Sequence, residues 1–342
     1  MRIPSTVLLA TPLLTFAQPP AGYYDPAAGL SGQALRVALR DIIDGHTVLA
    51  NSDLWAAYEA TDRKPNNTVW DIYSDVPDGT PPYEFAFGTD QCGTYDEEGD
   101  CFNREHSFPQ SWFNGAPGMD TDLFHMYPTD AWVNQQRGNW PFGTVSNPTF
   151  TSENGGKRGP CTWPGCSGTV FEPIDAYKGD LARGYFYMLT RYMDQASSWP
   201  APVLDQGEFL PWVEDLLLTW HLQDPVSPKE VARNNTIFTS LQGNRNPFID
   251  NPQWVQYIWG PTAGISDNTD GRDRIWQDGE LVRIRTAEAA QADVSIYDLR
   301  GGLFLATSFT GGQGAVLLDA PAGIYLVVLD TGNGRRVQRV VR

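Results

Sequence analysis

The sequence is poor in basic residues, histidine and cysteine. Lys and Arg total 24 against 41 Asp and Glu, giving a formal charge of −17 and a pI near 4.5. Taken alone, that deficit argues against a protein that grips nucleic acid with a broad positive surface. It does not exclude an enzyme that meets phosphate through a bound cation, because the ion supplies positive charge locally. There are four histidines, His46, His106, His125 and His221, so a mechanism that needs an imidazole base has few places to look. There are four cysteines, Cys92, Cys101, Cys161 and Cys166. Their spacings fit no zinc motif well, and no histidine lies beside them. After the first 17 residues, no segment is long and apolar enough to cross a bilayer.

What is present begins with those 17 residues. Arg2 gives a short positive start, Val7 to Phe16 is a short apolar run, and Thr15-Phe16-Ala17 has the form of a cleavage site. The reading is a secretory signal, with Gln18 opening the mature chain. In an exported chain the cysteines are expected to be oxidised. Of the three possible connectivities we favour Cys92–Cys101 with Cys161–Cys166, each closing a short polar loop.

A chain of 342 residues accommodates one large domain and one small one. Apolar positions near a 3.6 period predict helices over residues 24–47, 173–192, 209–222 and 227–241, and residues 67–73 read as a strand. Residues 261–272 are turn-rich and polar, as a linker should be. Beyond them the pattern has period two, with short strands at 281–285, 292–297, 303–305, 315–318 and 324–329 separated by Gly, Asp and Pro turns. The expected fold class is α+β. It has a catalytic domain over 18–260 and a β-rich, sandwich-like module over 273–342 that lacks histidine, cysteine and any clustered catalytic set.

One stretch carries chemistry. Cleaving a phosphodiester in water takes a base for the attacking water and a cation for the charge that develops on phosphorus and the leaving oxygen. His106 is the candidate base, since an imidazole titrates near neutral pH. Glu105 offers a carboxylate oxygen and Asn134 an amide oxygen, both suited to Mg²⁺. The separation of 28 positions from His106 to Asn134 fits a strand, a loop, a second strand and a helix, with Thr129 or Asp130 capping the helix. Asn134 and Arg137 then share a helical face. In a regular strand Glu105 and His106 point to opposite faces, so one site takes both only if the strand ends there. Pro109 makes such an ending reasonable. The acidic loop Asp96-Glu97-Glu98-Gly99-Asp100 reads as a solvated turn.

Three segments, Asn103-Arg104-Glu105-His106-Ser107-Phe108-Pro109, residues 122–130 and Val133-Asn134-Gln135-Gln136-Arg137-Gly138-Asn139-Trp140-Pro141-Phe142-Gly143, resemble the bacterial endonuclease I family. So do Phe171-Glu172-Pro173, residues 178–183 and residues 242–250, in register from about Tyr24 to Tyr257. The resemblance implies a ββα-metal nuclease core in a mostly helical body. It implies cleavage of DNA, often of RNA too, with little sequence preference. It also implies His106 as general base, Glu105 and Asn134 as Mg²⁺ ligands, and Arg137 or Arg245 steadying the phosphate. Family members commonly carry two adjacent histidines where this chain has Phe124-His125; His125, His221 and His46 read as structural. Residues 294–301 and 322–327 and the basic tail 335–342 are similar to type IX secretion sorting domains, which implies secretion machinery as a partner.

The expectation is therefore a secreted or cell-surface monomer, exported through the periplasm. It is a Mg²⁺-dependent endonuclease that leaves 5′-phosphate ends, with Mn²⁺ or Ca²⁺ as possible substitutes. The alternative, a secreted glycan-binding or glycan-cleaving protein, draws on the 12 tryptophans, the carboxylates and the β-module.

Overall fold

The computed structural model describes residues 19–260 and, toward the C-terminus, residues 274–278, 281–286, 291–298, 302–310, 312–321, 323–331 and 334–342. The expected signal at 1–17 and linker at 261–272 lie outside the described residues. The chain divides into two compact units, Met1–Ala28 with Val37–Pro252, and Gly29–Arg36 with Gln253–Arg342.

In chain order the first helices are α1 (Gly32–Ile43) and α2 (Leu54–Thr61). Then come β1 (Phe102–His106), β2 (Met126–Asp130) and α3 (Ala131–Arg137). A three-stranded sheet follows, β3 (Phe150–Thr151), β4 (Lys157–Pro160) and β5 (Thr169–Glu172), in the order β3-β4-β5. After it come α4 (Lys178–Arg191), α5 (Met193–Ala196), the small hairpin β6 (Leu204–Asp205) and β7 (Glu208–Phe209), α6 (Pro211–Gln223), α7 (Pro228–Thr236), α8 (Pro247–Asp250) and α9 (Gln253–Ile258). Both disulfides form in the favoured pairing, Cys92–Cys101 and Cys161–Cys166.

Helix α4 organises the larger unit. Its pattern predicts one broad apolar face, yet every residue from Lys178 to Thr190 is buried. The charged ones are tolerated because each is paired. Arg183 meets both carboxylate oxygens of Glu230. Lys178 reaches Glu172 at 2.7 Å and Asp175 at 2.6 Å. Gly184 lets the helix press on the chain between β1 and β2, since a Cβ there would lie 2.9 Å from the Phe124 carbonyl oxygen.

Two sequence expectations are corrected. Residues 67–73 form no strand; isolated bridges pair Arg63 with Val69 and Thr68 with Ala86. The β-favouring side chains there are held by turns, with the Asp71 carboxylate accepting from the Tyr73 N–H at 2.7 Å. Residues 237–241, read as the end of one α-helix, form a π-helical turn.

The smaller unit contains β8 (Arg274–Asp278), β9 (Leu281–Arg285), β10 (Gln291–Asp298), β11 (Leu303–Thr310), β12 (Gln313–Leu317), β13 (Ile324–Thr331) and β14 (Gly334–Val341). They make a four-stranded sheet, β11-β10-β13-β14, and a three-stranded sheet, β12-β9-β8. Both sheets feed one apolar core that includes Val282, Ile284, Val294, Ile296, Val327 and Leu329. The segment read as a basic tail is strand β14, paired along its length with β13.

Candidate active site

The hairpin of β1 and β2 leaves one edge of β1 open, and that edge builds the site. Odd-numbered residues of β1 face β2 and even-numbered ones face outward. Ser107 donates to the His125 carbonyl at 2.9 Å, and the Cys101 carbonyl accepts from Ala131 at 3.0 Å. Among the even positions, Phe102 bonds the loop beside it, donating to Asp90 and accepting from Cys92. The outward carbonyls of Arg104 and His106 are met by α3. Asn134 Nδ2 donates to Arg104 at 3.3 Å and Arg137 Nη1 to His106 at 3.0 Å. Of the two candidate caps, Asp130 starts this helix, accepting from the Val133 N–H at 2.7 Å.

The Asn134 amide has a defined orientation. Its Nδ2 reaches Asn103 Oδ1 at 2.7 Å as well as the Arg104 carbonyl. Both partners accept, so the amide must present its NH₂ to them. Among the described residues no donor reaches Asn134 Oδ1, which leaves that oxygen as an open ligand.

Glu105 is 2% exposed. Its Oε1 accepts from the Tyr73 hydroxyl at 2.8 Å and stands 3.1 Å from Arg137 Nη1. Burial pushes the carboxyl above the ordinary range, against the pull of Arg137, Tyr73 and the His106 backbone N–H. The contact with Arg137 turns the carboxylate toward α3, which carries both Asn134 and Arg137.

His106 ends the strand. Its ring lies against Phe113 and His125, with centroids 6.3 and 5.7 Å away. Nε2 is 3.0 Å from the Asp120 carbonyl oxygen. A carbonyl can only accept, so Nε2 carries the hydrogen and Nδ1 the lone pair. Among the described residues no group bonds Nδ1. Burial, then the positive field of His125, lowers the imidazole pKa to about 3. At neutral pH it is a neutral ring with one free basic nitrogen. The two side chains thus leave the strand on opposite faces, and α3 lying along the edge meets the backbone beside both.

The loop that supplies Asp120 is anchored from α4 and beyond. Asp122, fully buried, accepts from Tyr187 at 2.9 Å, Tyr192 at 2.8 Å and Gln242 at 3.0 Å. Burial opposes its charge, but His46, His125, the Gln242 amide and the Phe124 backbone N–H hold its pKa below the usual value. Tyr185 donates to the Ser107 carbonyl at 2.9 Å.

The remaining candidates sort clearly. Arg137 is 1% exposed and also bonds the Ser107 and Gly138 carbonyls. Arg245 pairs with Asp250 at 2.6 Å and bonds Asn235 at 2.7 Å, so it does not join the hairpin cluster. His125 is fully buried with Nε2 on the Met119 carbonyl, and His221 bonds the Pro252 carbonyl at 3.0 Å. His46 sits in a loop, 4.0 Å from Asp122. Asn103, Tyr73, Asp120 and Tyr185 escaped the sequence reading. Strand alternation from Glu105 picks out Asn103, whereas Asp120 acts through its backbone and leaves no side-chain signal.

The donor set suits a hard cation. Among the described residues no group of three or more His, Cys, Asp or Glu is placed to hold a metal. One carboxylate and one amide oxygen fit Mg²⁺, which keeps most of its shell as water and substrate oxygens, and fit a structural zinc poorly.

The family model for endonuclease I matches residues 31–253, which include β1, β2, α3 and α4. The chain belongs to the endonuclease I family. It is 37% identical over 249 residues to the "Extracellular ribonuclease" of Bacillus amyloliquefaciens, covering 69% of this chain and 78% of that one. Against the "Extracellular ribonuclease" of Bacillus subtilis (strain 168) it is 34% identical over 274 residues, with 75% and 84% covered. Against the "Endonuclease-1" of Buchnera aphidicola subsp. Baizongia pistaciae (strain Bp) it is 28% identical over 132 residues, with 38% and 46% covered.

Proposed function

We propose that the chain is a secreted, divalent-metal-dependent endonuclease that hydrolyses nucleic-acid phosphodiesters at the end of β1. The observation that carries the reading is the state of His106. It is neutral, tautomerically fixed by Asp120 and open at Nδ1, one residue along β1 from a buried carboxylate and two from the carbonyl that Asn134, with its unengaged amide oxygen, meets. His106 Nδ1 takes the proton from the attacking water as the water oxygen bonds phosphorus and the 3′ oxygen leaves, giving a 5′-phosphate end. Glu105 and Asn134 hold the cation, Mg²⁺ in the first instance and Mn²⁺ or Ca²⁺ as substitutes. When bound it stabilises the negative charge that grows on the phosphate and the leaving oxygen. The β1–β2–α3 unit then serves as a ββα-metal core.

Arg137 is a positioning residue in this scheme: it neutralises Glu105 and fixes the carbonyl of His106. Arg245 braces the loop at 242–250 and is not assigned to the phosphate. RNA stands beside DNA as substrate, since the two relatives of widest coverage are named ribonucleases. Export by residues 1–17 and recognition of residues 273–342 by secretion machinery complete the proposal. The glycan alternative loses its main support: of the tryptophans whose exposure is described, Trp140 is the one that is exposed.

The test is incubation of the purified protein with plasmid DNA and with RNA, in Mg²⁺ and in EDTA, alongside His106→Ala. Cleavage that needs both the metal and His106 supports the reading. Full activity in EDTA, or in the variant, refutes it.

A further inference from the structure

The Arg104-Glu105-His106 segment gives two of its three side chains a task, and Arg104 is left over. Strand alternation puts Arg104 on the same face of β1 as His106, about 7 Å along the strand. Its guanidinium lies over the Trp55 ring, 5.0 Å from the centroid, and Nη1 donates to the Asn51 carbonyl at 3.0 Å. The same Trp55 packs edge-on against Phe102, which also points to that face. The stack and the single hydrogen bond hold the head group while most of its five N–H donors remain unused.

Arg104 has no carboxylate partner among the described residues, whereas the neighbouring Arg137 is paired with Glu105 and buried. Arg104 keeps solvent access. In a chain with net charge −17, an uncompensated, pre-oriented guanidinium on the face of the basic imidazole is a phosphate-sized anion site. Arg is the side chain best shaped for a phosphodiester, offering two parallel N–H donors to two oxygens.

We infer that Arg104 is the substrate-positioning residue of this site, binding a backbone phosphate next to the one that is cleaved. The inference rests on the nuclease reading above. It supplies the substrate with a phosphate contact that the buried Arg137 and the remote Arg245 do not.

The test is steady-state cleavage of a short single-stranded oligonucleotide in Mg²⁺, with kcat/KM measured across a range of KCl concentrations. Wild type, Arg104→Ala and Arg104→Lys are compared. Loss of one phosphate contact lowers the magnitude of the slope of log(kcat/KM) against log[KCl] by about 0.7 for a single strand. Arg104→Ala is expected to show that drop together with a KM raised about tenfold and kcat changed far less. Arg104→Lys is expected to keep the slope, because it keeps the charge. A residue that merely packs on Trp55 would alter the melting temperature and leave the slope alone. An unchanged slope in Arg104→Ala, with wild-type cleavage intact, overturns this inference by itself. Failure of the wild type to cleave overturns the nuclease reading instead.

Discussion

Arg137 Nη1 stands 3.1 Å from Glu105 Oε1, and the same nitrogen holds the His106 carbonyl at 3.0 Å. One buried cation thus neutralises the carboxylate and fixes the strand end that carries the imidazole. Removing one member of a buried pair leaves an uncompensated charge, a loss of about 3–5 kcal/mol. Arg137→Ala should therefore lower the urea midpoint sharply and abolish cleavage. Arg137→Lys should recover little of either, since a single ammonium cannot replace a fork that also bonds the Ser107 and Gly138 carbonyls. Wild-type-like stability in Arg137→Lys would show that charge alone suffices.

The imidazole of His106 titrates near 3, below the ordinary 6.5, chiefly because it is buried. As far as this group is concerned, the rate should not fall between pH 7 and 5, where an exposed imidazole base would already be protonated. The sign for stability follows from the same shift. Between pH 6.5 and about 3 the unfolded chain takes up a proton that the folded chain refuses. Folding free energy from this group is therefore lost as pH falls through that window. In His106→Gln the decline of the urea midpoint from pH 7 to 4.5 should be shallower than in wild type. A rate that halves near pH 6.5, traced to His106 by its absence in the variant's residual activity, would contradict the buried neutral ring.

Gly184 sets how close α4 comes to the β1–β2 connection. A Cβ there lies 2.9 Å from the Phe124 carbonyl oxygen, a backbone atom that cannot swing aside. Gly184→Ala should destabilise by about 1–3 kcal/mol through overpacking, despite alanine's better helix propensity. It should also lower kcat, because the displaced segment carries the Asp120 carbonyl that orients His106. Thermal melts and single-turnover rates check the two effects separately.

Cation binding should be visible without activity. If Mg²⁺ binds only the folded state, a concentration 100-fold above its dissociation constant stabilises by about 2.7 kcal/mol. The melting temperature of wild type should rise with Mg²⁺. It should stay flat in Asn134→Ala and in Glu105→Gln, whose own melting points serve as their baselines. A rise of equal size in Asn134→Ala would place the ion elsewhere.

The strand–loop–strand–helix order was legible because its signals are local: the separation of His106 from Asn134, Pro109 just past the first strand, a cap at Asp130 and a three-residue spacing from Asn134 to Arg137. The disulfide pairing was legible because short polar loops bring their ends together in any fold. What could not be read was burial and backbone pairing. Thr68, Val69, Trp70, Ile72 and Tyr73 have strand-like side chains, yet Asp71 draws the Tyr73 N–H into a turn and accepts from the distant Asp130 N–H with its other oxygen. Arg137 and Arg245 looked alike in the sequence, but only the first lies at the hairpin. Asp120 serves through a carbonyl, which every residue possesses, so no pattern of residue types reveals it.

The account turns on one cation between Glu105 and Asn134 at the open edge of β1. Anomalous diffraction from crystals soaked in Mn²⁺ tests it most directly. The expected result is a peak within about 2.0–2.3 Å of a Glu105 carboxylate oxygen and of Asn134 Oδ1, with water filling the other positions. A fully soaked crystal with no peak there, or with its strong peak at other side chains, would contradict it.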